Sequence, residues 1–164
     1  MDARTVRVGM VAGAAAGMMM AMFSMVVLGA VGDGFWRPVN LIAHPVWRGA
    51  PLGGSFAAGA LVLGVMLHMV LSMMLGVAIA VVARGRTASA AAAVMIGIGV
   101  AAAAWVSQLI VWPALDQAAS DGMRPWVFAV SHLLFGMTAG WLVSRLAATT
   151  HHSSASVRSP QPVG

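Results

Sequence analysis

Two histidines stand where water is scarce in this chain: His68 in HMVLSMMLG and His132 in SHLLFGMTAGWL. A third, His44, sits in a proline- and glycine-rich stretch, and Gln108 lies four residues before Trp112 at the end of another apolar run. An ionisable group inside a membrane-spanning segment is by default a functional candidate. Several chemistries fit these residue types. Neutral imidazoles can tie helices together by hydrogen bonds to a serine or a carbonyl, at ~0.6–2 kcal/mol each. Imidazoles from two helices can ligate a haem iron from both sides. With thioethers spaced as Met18/Met22 and Met69/Met73, they can hold Cu(I). Titrating imidazoles can also serve proton-coupled transport. Four short helices leave little room for a pore, so that reading requires an oligomer. The structural tie is the reading favoured here, because methionine in so greasy a chain serves mostly as flexible packing.

The elements that must position these residues are apolar throughout. Of 164 residues, 60% are hydrophobic and 8% charged, against about 25% charged in a soluble domain. Such a chain cannot cover its own surface in water, and lipid is its natural solvent. Four stretches free of Asp, Glu, Lys and Arg stand out: Val8–Val31, Ala57–Ala83, Ala88–Trp112 and Trp126–Val143. Each is long enough to cross a hydrocarbon core of ~30 Å as a helix. The first exceeds the apolar run of a signal peptide and is read as an uncleaved span. Residues 1–147 thus form one transmembrane domain, and the Ser-, Thr- and Pro-rich segment 148–164 is read as a disordered tail.

Arginine placement orients the spans. Arg4, Arg7, Arg84, Arg86, Arg145 and Arg158 fall on one side. Arg37, Arg48 and Arg124 fall on the other, diluted by Asp33, Asp116 and Asp121. Positive residues stay inside, which predicts cytoplasmic termini in a bacterial plasma membrane. The long first outer loop predicts a short helix over Pro38–Trp47, lying in the headgroup layer between Trp36 and Trp47. Trp112 and Trp126 mark the same interface.

The second and fourth spans echo each other. A small residue recurs every four positions after each histidine: Ser72 and Gly76 after His68, Gly136 and Gly140 after His132. Gly9, Gly13 and Gly17 repeat the device in the first span, and Ala93, Gly97 and Ala101 in the third. Positions four apart share a helix face, and small residues are what let membrane helices approach. The expected fold is therefore all-α: a four-helix transmembrane bundle of two helical hairpins. At helical rise, Gln108 and His132 lie ~6–9 Å below the outer interface, with His68 about a turn deeper. The expected site is a pocket open to the outer face, lined by His44, His68, Gln108 and His132. Any metal or haem would use His68 and His132.

Other classes are excluded or disfavoured. The nine arginines form no stripe with interleaved aromatics, so nucleic acid is not a partner. With no cysteine there is no thiolate metal site. GAAAGMMM lacks the lysine of a phosphate cradle, and no Ser–His–Asp spacing appears. Asp33, Asp116 and Asp121 sit in turn-like contexts, where Asp supports the turn. No enzymatic role is expected.

The run GFWRPVNLIAHPVWRGAPLGGSFAAGALVLGVMLHMVLSMMLG and the HL-x-F-G of SHLLFGMTAGWL resemble a group of small four-span bacterial integral membrane proteins common in actinobacteria. The resemblance covers spans one, two and four and is loose in the third. It implies a membrane class and a bacterial source, and transfers no functional residue. His44, His68 and His132 fall within the family-like segments. The chain is thus expected to be a structural or partner-binding membrane protein in the lipid bilayer, without cofactor. A small homo-oligomeric transporter and a haem- or copper-binding redox protein are the alternatives.

Overall fold

A computed structural model describes residues 2–84 and 89–156 of the chain. Among them are α1 (Ala3–Ala30), α2 (Arg37–Ala43), α3 (Ala58–Ala83), α4 (Ala90–Leu115), α5 (Gln117–Asp121) and α6 (Pro125–Ser156), and no strand. Helices α1, α3, α4 and α6 are long and apolar enough to cross a bilayer. Helices form there because hydrocarbon offers no partner to a backbone N–H or C=O.

Local signals set the helix ends. The Asp2 carboxylate accepts the Thr5 N–H at 2.7 Å and caps α1. Ser89 accepts the Ala92 N–H at 3.2 Å and caps α4. Helix α4 continues past Trp112 to Leu115, with Pro113 in its last turn. Helix α6 opens on Pro125, whose fixed φ suits a first turn. It runs on to Ser156, so the first part of the segment read as disordered is helical. Residues 157–164 of that segment lie outside the described residues.

The small-residue rows decide the packing. Helix α1 lies along α3 and α6, α6 also lies along α4, and α3 meets α4 more lightly. The two hairpins are thus α1/α3 and α4/α6, joined through α1 and α6. In the first, Gly9 faces Val77, Gly13 faces Ser72, and Gly76 faces both Gly9 and Gly13. A Cβ on Gly76 would meet the Gly9 carbonyl oxygen at 2.3 Å. In the second, a Cβ on Gly97 would meet the Gly136 carbonyl oxygen at 2.1 Å, and one on Gly140 the Ala93 oxygen at 2.4 Å. Backbone lies on backbone in both hairpins, as expected for the glycine rows, and the echo between spans two and four is a shared locking device. Ala12, Ala16, Ile79, Ala101, Phe135 and Ala139 pack into the core between the hairpins. Ser24 and Ser131 share a 2.7 Å hydrogen bond across α1 and α6.

Helix α4 is packed most closely in its first half. Its buried residues are Ala93, Gly97 and Ala101, whereas Val106, Leu109, Ile110, Val111 and Leu115 are exposed. The contact end carries the loop to α3, and at the opposite end Asp116 and the Leu115 carbonyl tie the helix to Arg48, with His44 on the same carboxylate.

That far end is covered by α2 and the loops. The short helix exists, and one side of it packs on protein. Pro38, Val39, Asn40, Leu41 and Ala43 are buried against protein. Gly64 of α3 makes room for it, since a Cβ there would meet the Val39 carbonyl oxygen at 2.2 Å. The Asn40 amide donates to the carbonyls of Gly53 and Ser55, both at 2.9 Å, and pins the loop that follows. Gly34 holds a φ of +104° against Gly54, a backbone state and a closeness that favour glycine.

Candidate functional site

A cavity of about 320 Å³ lies beneath α2, between the parts of α1, α3, α4 and α6 near that end. It lies within the size range of ligand pockets. Of the residues expected to share a pocket, His68, Gln108 and His132 do line it. His44 does not. Pro38, Val39 and Ile42 of α2 wall the end of the cavity nearest the loops. Met18, Met22, Val65 and Leu71 also line it and are exposed on the flank of the bundle. In a bilayer that flank faces acyl chains.

The two imidazoles are held by backbone. His68 Nε2 lies 2.9 Å from the Gly17 carbonyl oxygen on α1. Gly17 has room for this because its missing side chain brings α1 against Ser72. His132 Nδ1 lies 2.7 Å from the Phe128 carbonyl oxygen, one turn back on α6. A carbonyl can only accept, so in the neutral rings the proton sits on His68 Nε2 and on His132 Nδ1. The remaining nitrogens, His68 Nδ1 and His132 Nε2, carry lone pairs and bond to no described residue. His132 is 3% exposed and His68 half-buried. His68 is thus the cross-helix tie that its setting suggested; His132 bonds within its own helix and ties nothing to a neighbour. The indole N–H of Trp112, which also lines the cavity, is buried and has no hydrogen-bond partner. Phe128, Phe135 and several methionines supply the apolar walls. Among the described residues, no cluster of three His, Cys, Asp or Glu side chains could hold a metal ion.

His44 serves elsewhere. Its Nδ1 pairs closely with the Asp116 carboxylate at the end of α4. Arg48 Nη1 reaches the same carboxylate at 2.6 Å, and Arg48 Nη2 donates to the Leu115 carbonyl at 2.9 Å. The other Asp116 oxygen accepts the Ala119 N–H at 3.1 Å and caps α5. Burial pushes the Asp116 carboxyl up. The bonds from His44, the Ala119 N–H and Arg48 outweigh that and leave it below the usual carboxylate range. A second clamp joins the same loops: Arg124 binds both oxygens of Asp33, and Arg37 lies 3.5 Å from it. The Arg124 bond, with the cationic charge around it, holds the Asp33 carboxyl low.

Asp116 and Asp33 were legible only as turn residues. Asp116 does cap a turn, but its larger role is to join two loops 72 positions apart. No local pattern announces such a pairing. A buried cap beside a lone loop histidine was the available hint.

Four apolar spanning helices around a core of glycine, alanine and serine contacts make this a multi-pass membrane protein. No protein-family model matches the chain, and no curated protein or solved structure matches it either.

Proposed function

We propose that this is a binding protein of the bacterial plasma membrane, which takes a lipid-soluble molecule from the bilayer into the cavity beneath α2. The observation that carries the reading is a cavity whose lining includes residues exposed on the bundle flank, together with a buried, unpartnered indole N–H on Trp112 and an imidazole nitrogen of His132 that bonds to no described residue. A purely structural bundle gains nothing from leaving an indole N–H unpaired, which costs about 1–3 kcal/mol. A role in catalysis has no carboxylate in the cavity to support it, among the described residues. A channel through one copy is opposed by the packed core of Ala12, Ala16, Ala101 and Ala139.

Photolabelling tests the reading. A long-chain alkyl diazirine in proteoliposomes should label Phe135, which is 1% exposed and reachable only from within the cavity. Ala21→Phe, which fills the cavity, should abolish that label and spare the label on exposed Ile110. Labelling confined to outward residues in the unsubstituted protein would contradict a lipid-accessible cavity.

The arginine asymmetry supports cytoplasmic termini. The chain has no cysteine, so single thiols report cleanly. A membrane-impermeant maleimide added to whole cells should label Leu52→Cys and leave Ala3→Cys unlabelled until the cells are opened. The reverse pattern would invert the topology.

A further inference from the structure

The lining of the cavity restricts what it can hold. Among the described residues, it carries no Arg, Asp or Glu, so a phosphate, carboxylate or ammonium head would enter without a counter-charge. Burying an unpaired charge is prohibitive, which limits the head to a neutral one. Its hydrogen-bonding groups are also uneven: beside Gln108 and Ser72, which can each donate and accept, stand an indole and two imidazoles with a single role each. Trp112 Nε1 is a donor without an acceptor. His132 Nε2 and His68 Nδ1 are acceptors without donors, because the other nitrogen of each ring is spent on a carbonyl. A ketone or ether oxygen would answer the indole and leave both imidazoles unanswered. A hydroxyl answers both kinds, since it donates one bond and accepts two.

Resting on the cavity reading above, we infer that the ligand is a neutral, hydroxyl-headed lipid of the fatty or isoprenoid alcohol type. Its O–H donates to an imidazole lone pair, with His132 Nε2 the more deeply buried acceptor, and its oxygen accepts from the indole of Trp112. About 320 Å³ holds the volume of ~10 water molecules, enough for the head and the first part of one chain. The rest of the chain leaves past Met18 and Leu71 into the acyl layer. Phe128 and Phe135 flank the buried segment, and the methionines adapt to its shape.

The test compares farnesol, farnesyl methyl ether and farnesyl phosphate on the full chain in nanodiscs, read by thermal shift and by quenching of tryptophan emission. Farnesol should bind about tenfold tighter than the ether, the size of one buried hydrogen bond, and the phosphate weakest of the three. Trp112→Phe, which keeps an aromatic ring in place, should weaken alcohol and ether alike by severalfold, because both oxygens accept from the indole. His132→Phe should abolish the preference for alcohol over ether; if that variant does not fold, the comparison of alcohol with ether on the unsubstituted protein carries the test. Equal binding of alcohol and ether would overturn the hydroxyl assignment and leave the cavity reading standing. Tightest binding by the phosphate would overturn the neutral head. Failure of all three to bind would remove the cavity reading itself.

Discussion

Replacing Gly76 with leucine should part α1 from α3 and destabilise the protein by about 3 kcal/mol or more. A Cβ at Gly76 meets the Gly9 oxygen at 2.3 Å and the Gly13 Cα at 2.5 Å, all of it backbone that cannot swing aside. Lipid gives no hydrophobic drive to compensate, because the parted surfaces are solvated by acyl chains as well as by each other. Gly99 is the matched control: nothing lies within 4 Å of its missing Cβ, and it is exposed on α4. Gly99→Leu should be neutral or slightly stabilising, through helix propensity alone. Unfolding in mixed micelles, followed by loss of helicity, distinguishes the two. Equal effects at Gly76 and Gly99 would mean that close backbone approach does not hold the first hairpin. His68 adds a second readout. Its bond to the Gly17 carbonyl exists only while α1 and α3 are locked.

Asp116→Asn should have the next largest effect, about 3 kcal/mol, by leaving buried His44 and the Arg48 guanidinium without their shared anion. The pH dependence follows from the same group. Its carboxyl titrates lower in the folded protein than in the unfolded chain. The unfolded state therefore takes up the proton first as pH falls. The contribution is complete above the ordinary carboxylate value of about 3.9 and is lost as pH drops through the lower folded value. Below that window the unsubstituted protein and Asp116→Asn should converge in stability. Above it they should differ by a constant amount. Asp33 adds a parallel slope in both proteins, so the difference between them isolates Asp116. A difference that persists unchanged into strong acid would place the cost elsewhere than in the charge.

Much of this architecture is written in short-range pattern. The rows at Gly9, Gly13 and Gly17 and at Gly136 and Gly140 repeat every four positions, and helix geometry alone turns that spacing into a face. From those rows came the two hairpins and the inward setting of His132. Counting helical rise also sets His68, Gln108 and His132 near one another, and all three line one cavity. His44 was misplaced because its partner lies in another loop, and the pairing of Asp116 with His44 and Arg48 depends on the tertiary meeting of the two. The burial of Pro38, Val39, Asn40, Leu41 and Ala43 of α2 against protein likewise depends on tertiary contacts that no local pattern spells. The unpaired indole of Trp112 had no signature at all, since an interfacial tryptophan and a cavity-lining one are spelled alike.

The claim on which the rest depends is that His132 keeps a lone pair on Nε2, aimed into a space that lipid can enter. Solid-state NMR of side-chain-labelled histidine in oriented bilayers measures it directly. The account predicts that His132 carries its proton on Nδ1, with an unprotonated Nε2 and cross-peaks from the ring to acyl-chain protons. An Nε2-protonated ring, or one that correlates only with protein and water, would contradict it.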